Sequence, residues 1–120
     1  MANKITMDSV HAFIAGKPFR RENMEVSVNS GGAYFNSNGV YLRLHSNIIA
    51  LRGDDGKVYI RNCGWETNTT KMRLNYLLHA LNSPLKIVQK NWIWYLGNKQ
   101  WDGSKTYVYD ETYNLNTITN

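Results

Sequence analysis

Apolar and polar positions change their period several times along this chain, and each change marks an element. Near the start, Val10, Phe13 and Ile14 fall on one helical face, Thr6 or Asp8 offers a cap, and Gly16 before Lys17-Pro18 supplies a stop. The spacing predicts a short helix that needs a partner. From Met24 the period becomes two, with Met24, Val26 and Val28 alternating with Glu25, Ser27 and Asn29, as in a strand with one buried face. A Ser30-Gly31-Gly32 turn then leads to a short strand, Ala33-Tyr34-Phe35, which Asn36-Ser37-Asn38-Gly39 ends. The cleanest strand follows, with Val40, Leu42 and Leu44 on one side and Tyr41, Arg43 and His45 on the other, before a turn at Ser46-Asn47. Ile48 to Arg52 and Lys57 to Arg61 flank Gly53-Asp54-Asp55-Gly56, where Asp-Gly tolerates positive φ and predicts a hairpin.

The period then lengthens. Gly64-Trp65-Glu66-Thr67 runs into a helix of roughly residues 69–82, whose Leu74, Leu77, Leu78 and Leu81 repeat at the spacing of a packed face. Thr67 or Thr69 is the expected cap, and Ser83-Pro84 the stop. Lys71, Asn75 and His79 line the opposite side at four-residue intervals, beside a stripe of Met72 and Tyr76. Residues 85–90 and 91–96 read as two further strands, Gly97-Asn98 as a tight turn into Lys99-Gln100-Trp101, and Thr106 to Tyr109 as a last strand. The fold class expected from this order is α+β: an antiparallel meander packed by one main amphipathic helix and a short N-terminal helix, in a single domain over residues 1–120. The Asn/Thr-rich stretch 111–120 reads as a flexible tail.

Composition agrees with one globular core. With 42% hydrophobic and 19% charged residues in 120, the chain has enough apolar mass to offset its conformational entropy. One cysteine, Cys63, allows no internal disulfide and fits a reducing compartment, where it serves as a small buried residue. The N-terminal residues are too polar for a secretion signal and no apolar run reaches membrane-spanning length, so a soluble intracellular protein is expected. The formal charge of +5 suits nucleic acid or an acidic protein as partner, although the cations are scattered singly apart from Arg20-Arg21.

Candidate chemistry is thin. Three histidines and nine acids form no nucleophile elbow, phosphate loop or metal-ligand spacing, so no cofactor and no metal are expected. His45, at a strand end, is the best single general acid/base candidate, and His79 reads as solvated. The clearest binding constellation is the outward face of the meander, where Tyr41, Arg43, Tyr59 and Arg61, extended by Lys57, combine stacking surface with phosphate-pairing charge. Lys71, Asn75 and His79 form a second face that a partner would reach without disturbing the fold. Trp92 and Trp94 share one strand face with Leu96 and are expected in the core, leaving Trp65 or Trp101 for partial exposure. Met72 and Tyr76 either widen the core or leave a homodimer open.

Taken in order, Leu42-Arg43-Leu44-His45-Ser46-Asn47-Ile48-Ile49-Ala50, Gly64-Trp65-Glu66-Thr67, Thr69-Thr70, Arg73-Leu74-Asn75, Trp94-Tyr95-Leu96 and Trp101-Asp102-Gly103 resemble a family of small tailed-bacteriophage proteins. That resemblance covers most of the chain and carries no catalytic residue with it. It implies the cytoplasm of an infected bacterium. The first expectation is therefore a non-enzymatic accessory protein that binds a host protein in host takeover or counter-defence. The alternative is a small basic nucleic-acid-binding module using the Tyr/Arg sheet face, and a small hydrolase built on His45 comes third.

Overall fold

Asn3, not Thr6 or Asp8, opens the first helix: its side chain accepts from the Thr6 backbone N–H at 3.1 Å, and α1 spans Lys4–Ala15. The computed structural model describes residues 3–28, 39–53 and 55–110. The two expected caps lie inside the helix. Thr6 is buried, and Asp8 pairs with Arg21 at 2.8 Å and Lys4 at 3.2 Å. The hydrogen bonds from Arg21 and then Lys4 hold the Asp8 carboxyl below its ordinary pKa. Gly16 ends the helix in the left-handed region at φ 70, returning its N–H to the carbonyls of Ala12 and Phe13.

Six strands form the main sheet in the order β1-β2-β3-β4-β5-β9, every neighbouring pair antiparallel. They are β1 Phe19–Arg21, β2 Met24–Val28, β3 Gly39–Leu44, β4 Asn47–Gly53, β5 Lys57–Ile60 and β9 Thr106–Asp110. The meander is thus as the alternation predicts, with the short β1 added at one edge. The expected turn at 30–32, the strand at 33–35, its ending at 36–38, Asp54 and the tail at 111–120 lie outside the described residues.

Between β5 and β9 the chain leaves the sheet. It forms α2 (Asn68–Ala80) and then a separate three-stranded antiparallel sheet, β6 (Ile87–Lys90), β7 (Ile93–Leu96) and β8 (Lys99–Gln100). Thr67 caps α2, accepting from the Thr70 N–H at 3.1 Å. The helix stops two residues short of the expected end, because Leu81 closes it and Asn82 turns left-handed at φ 60.

Both helices pack on the same face of the main sheet. Val10 and Phe13 of α1 join Leu74, Leu77 and Leu78 of α2 in one apolar cluster with Val26, Leu42, Ala50 and Ile60. Trp94 and Trp101, stacked at 6.3 Å, bring the second sheet into that cluster. Arg73 is the exception inside this interface: it is 3% exposed and has no carboxylate within ion-pair distance among the described residues. Its guanidinium donates to Thr6 Oγ1, to Asn3 Oδ1 at 3.3 Å and to Asn23 Oδ1 at 3.2 Å, tying α2 to the cap of α1 and to the β1–β2 turn. Burial lowers its pKa, with Glu22 acting against the shift.

The opposite sheet face is not the open surface that the alternation predicts. A register shift in the β3–β4 pair lets Arg43 face Ile48 while Leu42 faces Ala50, so β4 carries one extra residue there. Ile49 and Ala50 consequently enter the main core, whereas Ile48 and Leu51 join Tyr41 in a second buried cluster on the outer face.

The insertion is fastened at its ends. The Asn62 N–H donates to the Gly103 carbonyl at 3.0 Å, and Asn62 Oδ1 accepts from the Gly64 N–H at 2.8 Å. Gly103 lies directly beneath the Asn62 amide at φ +86.

Candidate functional site

Strands β6 and β7 are joined by the tightest connection a hairpin permits. Lys90 pairs with Ile93, leaving only Asn91 and Trp92 in the turn, at φ 51 and 68. Positive φ at both central residues defines a type I′ turn, for which Asn-Gly is the favoured sequence because glycine has no Cβ to crowd the following carbonyl. Here tryptophan occupies the glycine position and is 87% exposed. This corrects the expectation that Trp92 shares a buried strand face with Trp94: the two-residue turn removes Trp92 from the strand altogether. Trp94 is buried, as expected. Of the two tryptophans expected at the surface, Trp65 is 51% exposed and Trp101, at 6%, is in the core, its Nε1–H donating to Thr106 Oγ1 at 2.8 Å.

The surface continues from the tip along the outer face of the second sheet. Ile93, 38% exposed, and half-buried Tyr95 alternate with the buried Trp94 and Leu96. Their cross-strand partners are Lys90 and Val88. Trp92 and Ile93, with Trp65, are the large hydrophobic side chains exposed among the described residues, and two of these three are consecutive.

The predicted Tyr/Arg face is assembled but largely used by the fold. Tyr41, Leu51, Tyr59 and Tyr107 form one cross-strand row with Ser27 at its edge, so a leucine separates the first two tyrosines. Tyr41 is fully buried, which removes it as an exposed stacking platform. Arg43 lies 5.9 Å over the Tyr41 ring and donates to Ser27 Oγ at 3.1 Å and to the Ser46 carbonyl at 3.4 Å. Arg61 donates Nε–H to the Ile48 carbonyl at 2.7 Å, beside Cys63, whose thiol bonds the same oxygen at 3.0 Å. Tyr59 packs against Tyr107 at 5.7 Å with the Lys105 ammonium 4.8 Å from its ring. Lys57 stands at the other end of β5, where its backbone N–H is held by Asp55 Oδ1.

The helix stripe divides. Asn75 faces the second sheet and grips Ile87 twice, accepting from its N–H at 2.8 Å and donating to its carbonyl at 2.9 Å. It is a structural clamp, contrary to the expected free partner face, because α2 has a sheet on that side. Lys71 leans the same way, toward Gln89 Oε1 at 3.4 Å. His79 alone is exposed, its ring 6.0 Å from Tyr76, which hydrogen-bonds His11 Nε2 at 2.8 Å. Asn75→Ala is expected to lose about 2 kcal/mol in denaturant unfolding, since both Ile87 backbone groups lose their partner.

His45 sits on the β3–β4 turn at φ 51, between two depressions. One, of about 190 Å³, is lined by Leu44, Ile49, Trp65 and the Thr67, Thr69 and Thr70 turn. The other, of about 150 Å³, is lined by Arg20, Glu22, Asn23 and Glu25. The His45 backbone N–H donates to the Asn23 carbonyl at 2.8 Å, but no hydrogen bond orients its ring among the described residues.

Fold and surface together define a small α+β protein that exposes a tryptophan at a hairpin tip. The sequence pattern of the Kyanoviridae Gp96 protein family matches residues 2–117, and the chain belongs to that family. Membership places it among bacteriophage proteins, in agreement with the resemblance read from its motifs, and assigns no chemistry. Comparison with curated proteins and with solved structures gave no match.

Proposed function

We propose that this phage protein is a non-enzymatic accessory factor that acts in the cytoplasm of the infected bacterium by stoichiometric binding to a host protein, as a takeover or counter-defence inhibitor. One observation carries the reading: Trp92, 87% exposed and left-handed at a hairpin tip. An L-residue in that backbone region costs about 1 kcal/mol, and exposure of an indole forgoes its burial energy. Strain of this kind concentrates where a binding surface is held ready. Tryptophan is also the side chain most enriched among residues that dominate protein interfaces. The nucleic-acid alternative has weaker support, since Tyr41 is enclosed and Arg43 and Arg61 already bond backbone carbonyls.

Immobilised protein incubated with host lysate is expected to retain one host protein at near-equimolar amount through washing. Recovery of no stoichiometric protein would defeat the proposal.

A further inference from the structure

Charge along this chain is not evenly spread. From Thr67 to Trp101 it carries Lys71, Arg73, Lys86, Lys90 and Lys99 and not one Asp or Glu. The nine remaining Lys and Arg residues are matched by nine acids, so the entire formal charge of +5 resides in α2 and the second sheet. Arg73 is buried, which leaves lysines to set the surface field.

Those lysines frame the hairpin. Lys90 pairs with Ile93 next to the tip, while Lys99 pairs with Leu96 at the far end, where the Lys86 carbonyl accepts from Gly97. All three are exposed. At about 3.4 Å per strand residue, Lys86 and Lys90 stand roughly 13 Å apart. The apolar strip of Ile93, Tyr95 and Val88 lies between them, with Trp92 projecting at one end. Screening lengths near 8 Å at physiological salt let each lysine act on the contact surface beside it, but little further.

Resting on the protein-binding reading above, we infer that the partner presents an apolar slot bordered by Asp and Glu side chains, with Trp92 and Ile93 filling the slot and Lys90 and Lys86 meeting the acidic border. An uncharged or basic border would leave these lysines desolvated without partners. A nucleic acid is also anionic, yet the exposed cations here are all lysines, lacking the planar fork that grips phosphates in two bonds. The paired apolar anchors instead call for a concave apolar receptor.

The test places a photo-cross-linking p-benzoylphenylalanine at Ile93 and, as a second placement on the same strip, at Tyr95. Each is irradiated in host lysate and the joined peptide sequenced. In parallel, retention is compared for the unmodified protein and Lys90→Glu between roughly 50 and 500 mM salt. The expected result is a host-protein peptide from an apolar cleft with neighbouring Asp and Glu, bound about tenfold more weakly by Lys90→Glu and progressively less at high salt. A protein cross-link insensitive to both Lys90→Glu and salt, or one in a basic cleft, overturns the acidic border and leaves the binding reading standing. Cross-linking to nucleic acid, to a second copy of this chain, or to nothing overturns both.

Discussion

Gly103→Ala is expected to lower stability by roughly 2–4 kcal/mol, which for a domain of this length is a fall in Tm on the order of 10 °C. Two costs combine at this position. Its φ of +86 is outside the region that L-residues adopt easily, and an added Cβ would overlap the Asn62 amide. Asn62 has little freedom to withdraw, because its N–H is bound to the Gly103 carbonyl and its Oδ1 to the Gly64 N–H. Gly64 provides the internal comparison, having a similar φ of +80 with nothing within 4 Å of an added Cβ. Gly64→Ala should therefore show the backbone cost alone, about 1 kcal/mol, by thermal or denaturant unfolding. Equal losses at the two glycines would mean that the Asn62 amide yields to an added Cβ and does not hold the ends of the insertion rigidly together.

Trp94 and Trp92 are two residues apart and should respond in opposite directions. Trp94 is fully buried and stacked on Trp101, so Trp94→Ala removes a large ring from the junction of the two sheets and should lose about 3–5 kcal/mol. Trp92→Gly should do the reverse. It restores the Asn-Gly pair that a type I′ turn prefers, relieves the strain at φ 68 and gives up almost no packing, because the ring is 87% exposed. A gain of about 1 kcal/mol is expected, measured as a higher denaturant midpoint with unchanged slope. On the proposed binding reading, keeping the less stable residue at the hairpin tip trades stability for contact with the partner.

The contrast also explains what periodicity conveyed and what it did not. Alternation located β2 and β3, the Gly53 to Gly56 turn signal located β4 and β5, and the leucine repeat located the buried face of α2, because each pattern records one side of an element against the core or the turn beside it. Alternation alone does not say what lies on the other side. Tyr41 lies on the outward side that alternation gives it, but the extra residue in β4 puts both Ile48 and Leu51 on that same face, and together they enclose the ring. Asn75 lies on the flank of the leucine face, not opposite it, about 100° around the helix from Leu74, and the second sheet covers that flank. Trp92 departs from the pattern for a different reason. Reading residues 85–96 as two abutting strands leaves no turn between them, and Asn91, tolerant of left-handed backbone, was the signal for one. Arg73 gives no signal, because a cation beside the leucine face of a helix reads as exposed until α1 and the β1–β2 turn are brought around it.

The central claim is that Trp92 anchors a stoichiometric complex with a host protein. It is tested most directly by titrating the partner recovered from host lysate against the unmodified protein and against Trp92→Gly, each first verified as folded. Loss of a buried indole anchor should weaken binding by about 2–4 kcal/mol, or roughly 30- to 1,000-fold, while the variant unfolds at a higher temperature than its parent. Equal affinity of the two proteins for that partner would contradict the account.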